Sequence, residues 1–217
     1  MKKFFRPLIA LAIIGVCAWG NAAKAAPLVE DAPYVPENIF EWVQSTSRAD
    51  YYFNKEQICY RVDKEGYIDL NTLMVPTLKT YDEVQKQDVR TKREWKSLPL
   101  AEYDRLTGAA EYLRFDLNAN TVTIYAREDL DETWTALERT EEPTTHNLKD
   151  FSARDVDGIF YRTILDYAYD HQDDLLAHSL KRGKLREADQ KRLEKEKKEK
   201  EKAAKKKAKK QSEKKSE

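Results

Sequence analysis

Between residues 39 and 81 apolar and aromatic side chains come in short bursts, IFEWVQ, DYYFN, QICYRV, YIDLNTLMV and PTLKTY, parted by polar or glycine-containing breaks such as STSRA and DKEG. Short runs rich in Tyr, Phe, Trp, Val and Ile at this spacing predict consecutive antiparallel strands. The next stretch, DEVQKQDVRTKREWKSLPLAEYDRLTG, is dominated by charge and predicts a long connection. Within it, Leu100, Tyr103 and Leu106 stand at roughly helical spacing and predict one short helix ended by Gly108.

Alternation returns at AEYLRFDLNANTVTIYAREDL. Tyr112, Arg114 and Asp116 alternate with Leu113, Phe115 and Leu117; after NAN, Val122, Ile124 and Ala126 alternate with Thr121, Thr123, Tyr125 and Arg127. Two period-2 runs around an Asn-rich turn predict a β-hairpin. ETWTALERT predicts a further strand with Trp134 and Ala136 on one side. In residues 152–180, Val156, Ile159, Phe160, Thr163, Tyr167, Ala168 and Leu175 repeat at three and four, with Ser152 or Asp155 as N-cap. The pattern predicts an α+β fold, a meandering antiparallel sheet of roughly five to seven strands packed against a C-terminal amphipathic helix.

The ends of the chain obey different rules. Lys2, Lys3 and Arg6 precede an uncharged apolar run over residues 8–19, followed by small residues with Ala23 and Ala25 in an A-x-A arrangement. This is the layout of a secretory signal peptide, and the run is shorter than the ~20 residues that span a bilayer. The expectation is an exported protein, periplasmic or at the cell surface, with no transmembrane span after cleavage near Ala25. IGVC raises lipid attachment at Cys17 as an alternative, although Val16 is not the small residue that such a site wants. The domain scheme is then a signal peptide (1–25), an extended Pro-rich leader (26–38), one α+β domain (39–180) and a charged low-complexity tail (181–217).

Charge sharpens the picture. The formal net charge is zero, yet residues 26–180 hold 17 Lys/Arg against 31 Asp/Glu, a net −14, while residues 181–217 hold 18 against 8, a net +10. The tail offers little beyond Leu185 and Leu193 to bury, and pairs such as Glu187 with Lys191 support a helix by only ~0.2–0.5 kcal/mol each. It is expected as a frayed helix that melts into disorder past about Ala203. Such an arm suits an anionic envelope surface (lipid head groups, lipopolysaccharide or a cell-wall polymer), at about 1 kcal/mol per Lys. It could equally be a solubilising tail that folds back on the acidic body. Nucleic acid matches the charge, but export argues against it.

The order of these features over residues 42–168, carried by WVQSTSRADYYFNKEQICYR, YLRFDLNANTVTIY, ETWTALE and FSARDVDGIFYRTILDYA, resembles the surface-adhesin E-like family of small exported bacterial proteins. The resemblance implies a non-enzymatic surface or periplasmic module with adhesion to a host or matrix partner as its role, and it transfers no functional residue. The chain departs from the paired cysteine of that family: with Cys17 in the signal peptide, Cys59 has no partner.

Motifs for chemistry are thin. DLNANT places Asp116, Asn118 and Asn120 like the start of a calcium loop, but Thr121 stands where Gly is needed and Arg127 where a bidentate Glu is required. REDLDE gathers Glu128, Asp129, Asp131 and Glu132, readable as a weak calcium site or as a solvated acidic loop. His171, Asp174 and His178 share a helical face and raise zinc, without the base that a metalloprotease motif supplies. There is no G-x-S-x-G elbow and no Gly-rich phosphate loop, Cys59 lies inside a predicted strand, and His146 has nothing placed beside it. No catalytic residue, cofactor or metal site is therefore assigned. Tyr51, Tyr52, Tyr60, Tyr67, Tyr112 and Tyr125, with Trp42, Trp95 and Trp134, form either core or an aromatic sheet face that binds a protein partner.

Overall fold

The computed structural model describes residues 34–195, 197–199 and 202. The expected signal peptide with Cys17, residues 26–33 of the leader and the melting of the tail past Ala203 lie outside the described residues. Within them the architecture is α+β, with eight strands in one antiparallel sheet. Three long strands form its spine: β4 (Ile68–Tyr81), β5 (Leu106–Asp116) and β6 (Thr121–Asp131). Short strands flank them: β1 (Phe40–Ser45), β2 (Ala49–Asn54) and β3 (Cys59–Val62) on one side, β7 (Ala136–Thr140) and β8 (Thr144–Asn147) on the other.

Three of these outcomes differ from the sequence pattern. YIDLNTLMV and PTLKTY are a single strand, β4, because Pro76 falls where it removes no needed donor. β2 pairs with β4 from Thr77 to Tyr81, β3 pairs with it from Ile68 to Met74, and Pro76 lies in the gap between them. TTHN, for which the pattern predicts no strand, is β8, which extends β7 along the outer edge of β6. ETWTALERT contributes only its second half to β7. Trp134 takes a left-handed φ of 62° in the preceding turn, where the Asp131 side chain accepts from the Thr133 and Thr135 amides.

The β5–β6 hairpin forms as its alternation predicts, with one interruption. Phe115 faces Val122 and Leu113 faces Ile124, but Tyr112 then faces Ala126, so Tyr125 is an extra residue in a bulge. Beyond it the parity of β6 flips, and Arg127, not Ala126, stands across from Glu111 on the side covered by helices. Gly108 ends no helix; it sits within β5, where a Cβ would come 2.1 Å from the carbonyl oxygen of Lys79. The expected helix near it is only a 3-10 turn, Tyr103–Arg105.

A helix does form earlier in that charged stretch, α1 (Glu83–Trp95). Asp82 caps it by accepting from the Gln85 amide at 2.6 Å, and Lys86 pairs with Glu83. No apolar stripe marked it, since its buried residue is Arg93.

The C-terminal helix is two helices, α2 (Val156–Asp170) and α3 (Gln172–Leu180), divided at His171. α2 buries Phe160, Tyr161, Ile164 and Ala168 against Phe53, Val75, Leu113, Phe115 and Val122. Each large side chain in this core contributes about 1.5–3 kcal/mol on burial. The buried stripe is rotated from the expected one, leaving Val156 and Ile159 exposed. α3 is held to β3 by Ser179, fully buried, whose hydroxyl donates to Leu175 O and accepts from the Tyr60 amide at 2.8 Å.

Beside this apolar core the same sheet face turns polar. Lys79 Nζ lies 2.8 Å from Glu111 Oε2, with side chains only 13% and 5% exposed. The contact is electrostatic rather than a well-aligned hydrogen bond, and that oxygen has no aligned donor. Burial pulls the Lys79 pKa down, but the Glu111 carboxylate and Asp157 outweigh it and hold the ammonium above its ordinary value. From Glu111 opposite charges continue outward: Arg127 at 3.5 Å, then Asp129, then the Tyr103 hydroxyl, which also donates to Glu138, and finally Arg93. Arg93 stacks 3.8 Å over the Tyr103 ring and donates to Pro99 O. This chain of contacts docks the polar helix α1.

Removing one member of the central pair leaves a buried charge uncompensated. Glu111→Leu alone or Lys79→Met alone should each destabilise by about 3–5 kcal/mol, and the double variant by much less than their sum. Urea unfolding of the four proteins measures this; additive losses would contradict it. Arg93→Ala should speed amide exchange along α1 while leaving α2 unchanged.

Candidate functional site

The tail does not leave the domain directly after α3. Lys184 forms a parallel bridge with Tyr67: its amide donates to Gly66 O and its carbonyl accepts from the Ile68 amide, both at 2.9 Å. Gly183 is required there, because a Cβ would meet the Val62 methyls at 2.8 and 2.9 Å and Gly66 O at 3.0 Å. Lys184 Nζ lies 4.8 Å and Arg186 Cζ 5.2 Å from the Tyr67 ring centroid. Arg186 also reaches Asp63 at 2.5 Å.

Asp63 organises the opposite side of this contact. Its carboxylate accepts from the Tyr67 amide at 2.8 Å and the Glu65 amide at 2.9 Å. The Tyr67 amide above all, with the Glu65 amide, Arg186 and Arg61, holds its carboxyl below the usual carboxylate range despite desolvation. Residues 187–195 are then helical, and Leu185 and Leu193, the two tail leucines, are half-buried and line a cleft with Tyr60, Leu70 and Leu176. The basic arm thus starts from an anchored root, with Lys191, Arg192 and Lys195 exposed.

The residues considered for chemistry are dispersed. The His171 ring stacks on Tyr167 at 4.0 Å and its Nδ1 meets Tyr167 O, whereas His178 Nδ1 meets Ile58 O at 3.0 Å. Among the described residues no group of three or more His, Cys, Asp or Glu side chains has metal-holding geometry. Asp116 accepts from the Asn118 and Ala119 amides of its own turn. In REDLDE, Glu128 pairs with Arg139 at 2.5 Å, Asp129 with Arg127 at 3.2 Å and Asp131 with Arg105 at 3.3 Å. Cys59 is buried, and burial raises its thiol pKa against the weaker opposing pull of Arg182.

The aromatic residues divide between core and surface. Tyr51 meets Phe160 edge-on at 5.4 Å under α2. Tyr112 and Tyr125 approach to 6.0 Å, and the Tyr112 hydroxyl donates to Glu128. Tyr67 belongs to the tail root, Trp95 is 80% exposed at the end of α1, and Trp42, paired with Tyr52 across β1 and β2, is 56% exposed. Sequence pattern missed the Lys184–Arg186 root; a lone Gly183 amid basic residues was its one visible sign.

No family model and no curated protein matches this chain.

Gly183→Val should detach the root, increasing amide exchange at Tyr67 and Ile68 while the β5–β6 hairpin stays protected. Because the folded-state pKa of Asp63 is depressed, its contribution is present above the ordinary Asp range and lost as pH falls through the lowered value. Acidification should therefore loosen the root, and Asp63→Asn should abolish that pH dependence; NMR shifts of the Lys184 amide report it.

Proposed function

We propose that the protein is a non-catalytic, exported, envelope-associated module whose basic tail tethers an acidic domain to an anionic surface. The observation that carries this reading is the charge split, −14 over residues 26–180 against +10 over residues 181–217. The apolar run with its A-x-A site supports export. Two features of the fold support a tether over a loose solubilising tail: the arm starts from a fixed root at Lys184, and its first helical residues direct cationic side chains into solvent. Among the described residues no helix is long and apolar enough to cross a membrane.

Truncation after Lys195 retains the root and removes 11 Lys against 5 Glu. The full chain should sediment with vesicles containing anionic lipid, and truncation should weaken association by at least about 100-fold at physiological salt, given about 1 kcal/mol per Lys. Raising salt should release the full chain as the Debye length falls from about 8 Å toward 3 Å. Equal, salt-insensitive sedimentation of the two proteins would refute the tether.

A further inference from the structure

At the β1 edge of the sheet, mostly on the face away from α2, the chain before β1 and the first two strands line an open cleft of about 630 Å³. This lies within the roughly 300–1,000 Å³ range of small-ligand pockets. Register places its rings together: Trp42 on β1 is opposite Tyr52 on β2, and Tyr52 alternates with Tyr51 and Phe53, which face the helices. Tyr34, 76% exposed, forms another wall. The turn after Pro36, in which the Ile39 and Phe40 amides donate to Pro36 O, folds this segment back over the strand ends.

The charge of the lining has one sign in excess. The lining holds three carboxylates, Glu37, Glu41 and Asp50, against one cation, Lys55, which is already paired with Glu41 at 3.1 Å. Asp50 Oδ2 takes one hydroxyl bond, from Thr80 at 3.3 Å, and Glu37 has no ion-pair partner among the described residues. Aromatic faces beside two carboxylates not neutralised by a cation favour an ammonium ligand: the ring quadrupole attracts the cation, the carboxylates accept its protons, and the alkyl stem covers the indole. A neutral sugar would use the rings but not the excess negative charge, and an anion would be repelled.

We propose that this cleft binds a linear aliphatic polyamine, with Trp42 and Tyr52 covering its methylene chain and Glu37 and Asp50 accepting its ammonium ends. The site goes beyond the tether: it lies on the acidic body, uses no tail residue and takes a ligand of opposite charge to the surface that the tail addresses.

Calorimetric titration of the full-length mature protein with spermidine tests it. Saturable binding at one site is expected, weakened at least about fivefold by Trp42→Ala and also weakened by Glu37→Gln, whose exposed position leaves the fold intact. Absence of saturable binding, or unchanged affinity in Glu37→Gln, would overturn the proposal. A peptide of residues 201–217 forms the second arm. If the peptide binds and spermidine does not, the cleft is a lysine-peptide site and the polyamine assignment is wrong; spermidine binding that resists the peptide supports it. Vesicle sedimentation is unaffected by these variants if the two sites are independent, which separates failure of this site from failure of the tether.

Discussion

A carboxylate held at the middle of a sheet, with almost no contact with water, has to be neutralised from within the fold. Glu111 is that group, and much of the polar half of the molecule answers to it. Lys79 reaches it from β4 and Arg127 from β6, and Arg127 can do so because the bulge at Tyr125 turns that part of β6 around. From Arg127 the contacts run on through Asp129, Tyr103 and Glu138 to Arg93, so the position of α1 depends on a sequence of opposite charges that begins inside the sheet. Paired buried charges contribute little net stability relative to an apolar core of the same volume, but they penalise alternative registers strongly. A slip of one residue in the β5–β6 register would put Glu111 on the wrong face of the sheet.

The remaining half follows simpler physics. Phe160, Tyr161 and Ile164 of α2 close the apolar part of the same face, and Ser179 of α3 supplies the one polar bond that joins the second helix to β3. The break at His171 lets α3 turn toward β3, where Ile58 O receives the His178 ring, and it leaves the chain positioned to return along Tyr67. Consequently the basic arm grows out of the sheet through Gly183 and Lys184 and not from a free helix end.

Function, in the reading advanced above, is a matter of segregated charge. In that reading the acidic body resists non-specific adsorption to anionic surfaces, while the basic arm concentrates the attraction in one segment of the chain. In the same reading that acidity, combined with Trp42 and Tyr52 on the face away from α2, gives a cleft that suits cations. The two sites have opposite electrostatic preferences and share no residue.

Period-2 alternation in Tyr112–Phe115 and Val122–Ile124, interrupted by Asn-rich residues, was enough to specify the hairpin, because burial of one face fixes which residues turn inward. Charge composition alone separated the acidic body from the tail, since charge needs no fold to be counted. Local pattern could not reveal α1, whose docking rests on one arginine in place of an apolar stripe, nor the joining of two strand runs through Pro76, which depends on where β2 and β3 happen to end. It also could not gather Glu37, Asp50 and Trp42 around one cleft, or place Lys184 beside Tyr67. Those proximities depend on the turn after Pro36, the pairing of β1 with β2 and the return of the chain after α3.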